Sequence, residues 1–294
     1  MDVFGAFSGQ LNIFLLVLAR VTGMLGATPF FASRSIPAQV KAAFALILTF
    51  ALFPVAGAAV GAKAGAADGA AAGAAIGLTG GMTQGIPLSD TYGFVAAVAG
   101  EVVVGFAFGV LVSMAFAIFQ VAGEMIDIPI GFSLVNVMDP LAGQAQPIIA
   151  RFFYVIALLV FLAIDGHLYL IEALARSFQM VPPGSFQWWP KTAEVLVKYL
   201  TASFLLAVKV ALPVVGALLV TDVAFGLVAR AVPQINVFIV GFPAKILVGL
   251  VFLALMLPLI IGTVQDTFAP RSELHSSLEA ILRGSADPVT GGGR

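Results

Sequence analysis

Long apolar segments dominate this sequence and limit what the chain can fold into more strictly than any single motif. A helix needs about 20 apolar residues to cross the ~30 Å hydrocarbon core of a bilayer. Only 10% of the residues are charged, whereas soluble domains carry about 25%. The chain is therefore predicted to be an all-α, polytopic membrane protein whose long helices lie at about 11–31, 38–55, 92–121, 147–177, 194–231 and 243–264.

The charge balance and the lack of cysteine exclude several classes of function. A net charge of −1 offers no basic surface for nucleic acid. Without cysteine the chain has no disulfide, no thiolate nucleophile and no Cys-ligated metal. The first basic residue, Arg20, lies inside an apolar segment, so the N-terminus lacks the basic region of a signal peptide. The first segment is therefore expected to be retained, and no cofactor or metal is predicted.

Several charged side chains lie inside the apolar segments. An arginine at mid-membrane costs about 2.5–3.5 kcal/mol, so Arg20 is expected to be buried in protein beside an acidic partner, with a snorkelling side chain as the alternative. Glu101, Gly105 and Gly109 share one helix face, where the glycines allow close approach and the carboxylate needs a partner. Buried polar packing is predicted for Arg20, Glu101, Asp165, His167 and Asp222.

The sequence Asp165-Gly166-His167 could also indicate catalysis or a proton relay. A hydrolase needs further groups beside it, yet the other histidine, His275, lies in the polar C-terminal tail and cysteine is absent. A structural role is therefore favoured, and the chain is not expected to be an enzyme.

An Ala/Gly-rich tract occupies residues 56–93. Glycine recurs at every fourth position from Gly57 to Gly85, which would place bare backbone along one helix face and favour close helix contacts. The alternative is a low-complexity connection, since each glycine inside a helix costs roughly 1 kcal/mol relative to alanine. A flexible connection is favoured, with a marginal helical start that continues the second segment.

Residues 123–147 connect the third and fourth segments. Three carboxylates in this connection could suggest a Ca²⁺ or Mg²⁺ site, but they lack the close spacing of a cation-binding loop. The connection is also too apolar for a solvated loop. It is predicted to be a structured loop packed inside protein or lining a cavity, as irregular backbone at membrane depth requires.

Two prolines mark a helical hairpin between residues 229 and 246. Pro233 and Pro243 bracket nine residues, too few to cross a bilayer. One helix is predicted to end near Val232 and the next to begin near Pro243, where a first-turn proline is tolerated. The amides of Gln234 and Asn236 lie between them and could satisfy backbone groups at the two helix ends.

The run PQINVFIVGFPAK, at residues 233–245, closely resembles the signature of the FliR family of flagellar type III export-gate proteins, which has injectisome relatives. The matching positions are Pro233, Gln234, Asn236, Val237, Phe238, Gly241, Pro243 and Lys245. The 123–147 segment also resembles the family pattern, at Gly123, Glu124, Asp127, Gly131, Phe132, Asp139 and Pro140. Pro129 departs from that pattern, since relatives commonly have a polar residue there.

The resemblance implies a fold and a function. One copy of such a protein would assemble with FliP-like and FliQ-like subunits, and with an FlhB-like subunit, in the bacterial inner membrane at the flagellar basal body. Its helical hairpins would help to form a closable pore for unfolded flagellar proteins. The segment 123–147 would be the plug, residues 234–245 would shape the closed end of the hairpin, and the Asp-Gly-His sequence would be structural.

The predicted membrane domain covers residues 1–264, and a polar tail follows at 265–294. The tail contains an amphipathic helix with apolar residues at i, i+4, i+7 and i+8, and Gly284 could end it. The alternative function is an ion-coupled secondary transporter whose path would use Arg20, Glu101, Asp165, Lys209 and Asp222. Such transporters commonly have repeated halves, and none is evident in this sequence.

Overall fold

The computed structural model describes residues 3–32, 36–68, 91–132, 147–185, 191–234, 236–269 and 272–286. Within these ranges the chain forms nine helices and no strand. The helices are α1 Val3–Ala27, α2 Pro29–Ala32, α3 Ala38–Asp68, α4 Thr91–Ile130, α5 Ile148–Ala163, α6 Gly166–Met180, α7 Lys191–Ala231, α8 Val237–Phe268 and α9 Glu273–Ala286. The predicted all-α fold is confirmed.

Five of these helices are long and apolar enough to cross a membrane: α1, α3, α4, α7 and α8. A sixth span results if the bent pair α5 and α6 is counted as one. The polytopic membrane prediction is therefore confirmed. At 1.5 Å per residue, the 40 residues of α4 and the 41 of α7 extend for about 60 Å, roughly twice the hydrocarbon thickness of a bilayer.

The fourth predicted segment is not one continuous helix. It breaks at Ile164 and Asp165, and Asp165 has a φ of 56°, in the left-handed region that aspartate tolerates better than most residues. The next residue, Gly166, lies directly against the ring of Phe161, where a Cβ atom would clash. The break therefore follows from Asp165 and from the packing of Gly166.

The predicted loop at 123–147 begins as helix, because α4 continues to Ile130. The residue types Gly123 and Pro129 suggested a loop, but Ile126, Asp127 and Ile130 are fully buried, and that burial outweighs the local cost of the proline. The helix then ends at Gly131, which has a φ of 98° and donates its N–H to the carbonyls of Asp127 and Ile128. Residues 133–146 of the predicted loop lie outside the described ranges.

The second helix of the hairpin begins six residues before the predicted start. It starts at Val237 rather than near Pro243, and Asn236 lies at the N-cap position, which this residue type favours. The Asn236 carbonyl accepts the N–H groups of Ile239 and Val240. These bonds begin the helix early, and Pro243 is accommodated inside it.

Two other predicted boundaries shift as well. The second helix, α3, continues through the start of the Ala/Gly tract to Asp68, and a Cβ atom on Gly57 or Gly61 would have no neighbour within 4 Å. The described part of the tract therefore makes no close small-residue contact within the chain. The tail helix runs past Gly284 to Ala286, and the apolar residues of its stripe are buried: Leu274, Leu278, Ile281 and Leu282.

The chain divides into two compact units. The first unit contains Met1–Ser113, Leu168–Val197 and Leu274–Arg294, and the second contains Met114–His167 and Lys198–Glu273. In the first unit α1 packs against α3, with the rings of Phe14 and Phe53 edge to face at 6.1 Å. In the second unit three rings form an aromatic cluster with centroids 4.8–5.3 Å apart: Phe116, Phe161 and Phe268.

Substituting Gly131→Ala should destabilise the second unit. Alanine would have to adopt a φ of 98°, and its Cβ would lie 2.5 Å from Cε2 of Phe242. A cost of about 1–3 kcal/mol is expected from the strained backbone. The measurement is the thermal unfolding midpoint in detergent, with Gly262→Ala as the control, because a Cβ there meets no atom within 4 Å. Equal midpoints for the two variants would contradict the prediction.

Candidate functional site

A fully buried ion pair joins two helices of the first unit. Arg20 Nε donates to Glu101 Oε2 at 2.6 Å, and both side chains have 0% exposure. Arg20 lies on α1 and Glu101 on α4, so the pair joins two membrane-spanning helices. The charge on Arg20 is therefore neutralised by protein rather than by a snorkelling path to water.

Each remaining nitrogen and oxygen atom of the pair also has a hydrogen-bond partner. Arg20 donates through NH1 to the hydroxyl of Ser177 at 3.1 Å and through NH2 to the carbonyl of Val181 at 2.9 Å. The N–H of Gly184 donates to Glu101 Oε1 at 2.9 Å. The ring of Phe178 lies 4.4 Å from the guanidinium carbon, at cation–π distance. Every nitrogen of the guanidinium and both oxygens of the carboxylate thus have at least one hydrogen-bond partner, which makes a buried ion pair tolerable.

Glycines on both helices bring the pair together. A Cβ on Gly105 would clash with the backbone of Arg20, and one on Gly109 would lie 2.5 Å from the carbonyl oxygen of Met24. The contact is reciprocal, since a Cβ on Gly23 would lie 2.6 Å from the carbonyl oxygen of Val102. The predicted spacing Glu101, Gly105, Gly109 thus forms one contact face, and close approach of the backbones puts the carboxylate beside Arg20.

The sequence did not predict the partners of Arg20 and Glu101 that come from α6 and the turn after it. Ser177 and Phe178 lie on α6, and Val181 and Gly184 follow that helix, more than 150 residues after Arg20. Ser177 lies between Arg176 and Phe178, with Gln179 next, so the local sequence does not mark it as the partner of a buried donor. Its own hydroxyl donates to the Leu174 carbonyl at 2.6 Å while it accepts from Arg20.

The second unit contains the two ends of the segment 123–147. Asp127 on α4 is fully buried, and its Oδ2 accepts the N–H groups of Ile149 at 3.0 Å and Ala150 at 3.2 Å. These N–H groups belong to the first turn of α5. Asp127, on the preceding helix α4, therefore caps the start of α5. Gly123 packs directly on the backbone of Ala150, where a Cβ would lie 2.6 Å from its nitrogen. Together they fix the segment's two ends side by side.

The end of α4 also packs against the α7–α8 hairpin. Gly131 contacts the ring of Phe242, and a Cβ on Gly249 would lie 2.7 Å from Cδ1 of Ile130. Lys245 of α8 forms an ion pair with Asp222 of α7, in which the side chains are 27% and 39% exposed. The end of α4, which lies in the segment 123–147, therefore packs against the α7–α8 hairpin.

Most of the other residues predicted to matter in the hairpin motif and in the segment 123–147 are less buried. In the hairpin Gly241 is buried, whereas Pro233, Gln234, Asn236 and Pro243 are exposed, and the Phe238 side chain lies outside the described part. In the segment Glu124 is half-buried and accepts from Gln120 at 3.2 Å, and Phe132 is half-buried. Asp139 and Pro140 lie outside the described residues.

Asp165 and His167 differ from the expectation of burial. Both are exposed on this chain, because Gly166 between them turns inward against Phe161 and directs its two neighbours outward. Asp222 is only partly exposed and is paired with Lys245. Within this chain Arg20 and Glu101 are therefore buried polar residues, whereas Asp165 and His167 of the Asp-Gly-His sequence are not.

Comparison with known proteins identifies the family. Residues 11–270 match the family described as bacterial export proteins, family 1. The flagellar biosynthetic protein FliR of Bacillus subtilis (strain 168) is 31% identical over 274 residues, which cover 92% of this chain and 95% of that protein. FliR of Escherichia coli (strain K12) is 30% identical over 272 residues, 92% of this chain and 93% of that protein. The chain belongs to the FliR family.

The structure gives physical meaning to both stretches that resemble the FliR pattern. One stretch contains Gly123, Asp127 and Gly131, and the other contains Phe242 and Lys245. They are about 100 residues apart in sequence, yet Gly131 and Phe242 are in contact. The departure from the pattern at Pro129 falls in the last turn of α4, where Gly131 supplies the terminal backbone hydrogen bonds.

Breaking the Arg20–Glu101 pair should destabilise this FliR-family protein strongly. Arg20→Met or Glu101→Leu alone leaves one charge buried without its partner, which costs about 3–5 kcal/mol. The double variant Arg20→Met, Glu101→Leu should lose less than the sum of the single losses. The free energy of unfolding in detergent measures this. Arg176→Ala is the control, because its pair with Glu172 is more than half exposed and is worth about 0–1 kcal/mol.

Removing the Asp127 carboxylate should loosen the start of α5. Asp127→Ala removes an acceptor for two helix N–H groups, at a cost of about 0.5–2 kcal/mol, while Asp127→Asn keeps one acceptor oxygen. Hydrogen exchange at the amides of Ile149 and Ala150 should accelerate in the alanine variant and much less in the asparagine variant. Unchanged exchange in Asp127→Ala would contradict the capping role.

Proposed function

We propose that this protein is a subunit of the flagellar type III export gate. Together with FliP-like and FliQ-like subunits, and beside an FlhB-like subunit, it forms the closable pore through which unfolded flagellar proteins leave the cell. The name of its relatives, flagellar biosynthetic protein FliR, supports the flagellar rather than the injectisome system. The site of action is the bacterial inner membrane at the flagellar basal body.

One observation carries this proposal beyond the family name. The two ends of the segment 123–147 are held together by Asp127, and its base packs on the hairpin through Gly131 and Phe242. A plug needs such an arrangement, because its ends must stay fixed while the residues between them are displaced by an arriving substrate. The segment 123–147 is accordingly the plug of the resting pore.

The long helices support assembly with other subunits. In the apolar 18-residue stretch that qualifies α7 as a membrane span, 28% of the residues are buried within this chain, compared with 61% in the corresponding stretch of α4. A largely exposed apolar helix that also carries charges is expected to be covered by neighbouring proteins. The gate performs no chemistry of its own, so the protein is not an enzyme.

The transporter alternative has no support. Its path would have used Arg20 and Glu101, but these two side chains are bonded to each other and to groups that leave neither free to carry an ion. The other members of that path, Asp165, Lys209 and Asp222, belong to the second unit. The family match over residues 11–270 also favours export over transport of small ions.

A strain without this gene, complemented with the wild-type chain or with a chain lacking residues 133–137, tests the proposal. The null strain should secrete no filament protein, and the wild-type chain should restore secretion. The shortened plug should still assemble but make the membrane leaky to small solutes, because a plug five residues shorter no longer fills the pore. Dye uptake and membrane conductance measure the leak.

Normal filament secretion by the null strain would refute the export function. A shortened chain that assembles and stays as tight as wild type would refute the plug alone. Arg176→Ala, whose exposed pair with Glu172 belongs to the first unit, is the matched control for expression and should not leak.

A further inference from the structure

One exposed side of α7 carries a regular pattern. Successive positions alternate in spacing between four and three residues, which gives a repeat of 3.5 residues, the spacing of a helix that packs along another helix. This stripe lies entirely in the second unit. The basic stripe, as we name it, consists of Leu205, Lys209, Leu212, Gly216, Leu219, Val223, Gly226 and Arg230.

The described part of the chain does not cover the basic stripe. Leu205 is 54% exposed, Leu212 62% and Val223 64%. A Cβ added at Gly216 or Gly226 would have no neighbour within 4 Å. The opposite side of α7 faces the core of its own unit, through Ala207, Val210, Ala211, Val214 and Leu218.

The charges on the stripe are all positive. Lys209 and Arg230 are exposed and make no hydrogen bond or ion pair with any residue that the structure describes. They are 21 positions apart, about 31 Å along a helix. A lysine in the apolar middle of a membrane costs about 2.5–3.5 kcal/mol unless a partner compensates it.

A second apolar surface provides a contrast. The outer side of α3 exposes large side chains such as Ile47 at 69% and Phe50 at 77%, with no charge among them. Lipid chains can cover a surface of that kind at no cost. The basic stripe differs from it in both its cations and its open glycines.

A neighbouring ion pair also favours protein over lipid. Asp222 directly precedes Val223 of the stripe. In its ion pair with Lys245, both side chains are partly exposed. Asp222 lies eight residues before Arg230, about 12 Å along the helix and well inside the apolar span. Lipid would surround this pair with hydrocarbon, whereas a second protein helix can give it hydrogen-bond partners.

We propose that the basic stripe docks a membrane-spanning helix of another subunit. That helix carries carboxylates opposite Lys209 and Arg230, and small residues opposite Gly216 and Gly226. The heptad spacing sets the two helices side by side, the glycines let their backbones approach, and the carboxylates neutralise the two cations. The inference rests on the proposed function, which makes this chain one subunit of a larger gate.

Site-specific photocross-linking tests the docking surface. The photoreactive residue p-benzoylphenylalanine is placed at Leu212 or Val223 of the full chain, in cells that contain the complete flagellar apparatus. The controls place it at Ile47 or Phe50 on α3, which are exposed to a similar degree. Light should produce one discrete protein adduct from the stripe positions and none from the controls, and mass spectrometry should identify a partner helix with acidic residues.

Charge reversal tests the chemistry of the partner. Lys209→Glu and Arg230→Glu should each lower the yield of the adduct about tenfold or more, because like charges across an interface repel. Replacing the facing carboxylate by lysine should restore the adduct in Lys209→Glu. Arg176→Glu reverses an exposed cation in the first unit and should leave the yield unchanged.

The other outcomes overturn the proposal. Adducts with lipid alone mean that the stripe faces the bilayer, and an adduct with a second copy of this chain means self-association. An unchanged yield in Lys209→Glu means that charge does not hold the partner. Secretion of filament protein is measured in the same cells: when it depends on this gene but no partner adduct forms, the stripe proposal fails while the export function stands.

Discussion

The buried pair of Arg20 and Glu101 is the constraint on which the first unit depends. Two full charges with no exposed surface are stable only when they lie in contact and their remaining hydrogen-bonding groups are satisfied. That requirement fixes how closely α1 approaches α4, and the glycines at 23, 105 and 109 make this approach possible. It also recruits α6 and the turn after it, through Ser177, Val181 and Gly184. Neutralising this one buried charge pair thus fixes the packing of α1, α4 and α6 with the turn that follows it.

In the second unit a carboxylate has a different task. Asp127 is also fully buried, but its partners are two backbone N–H groups at the start of α5 rather than a cation. It therefore anchors the two ends of the segment 123–147. The segment's base adjoins the hairpin of α7 and α8, where Gly131 meets Phe242. In the proposed plug role, this arrangement fixes the two ends of the segment.

The family pattern and the packing agree at the level of particular residues. Gly123, Asp127 and Gly131 occur where close contact, helix capping and a left-handed turn require them. Others in the pattern, such as Gln234 and Asn236, are exposed on this chain. Exposed motif residues and poorly buried helices suit a protein that completes its contacts in an assembly. On the basic stripe of α7, Lys209 and Arg230 have no ion-pair partner among the described residues.

The sequence by itself determined the all-α membrane fold, the family and the shared face of Glu101, Gly105 and Gly109. Apolar length, low charge and four-residue spacing are local properties, so they can be read without coordinates. Only the tertiary structure decided which residues meet Arg20, because Ser177 and Val181 lie more than 150 positions away. The tertiary structure also decided where several helices begin and end. Burial of Ile126 and Ile130 carried α4 through Gly123 and Pro129, and the inward packing of Gly166 exposed Asp165 and His167, because packing energy outweighs local preference.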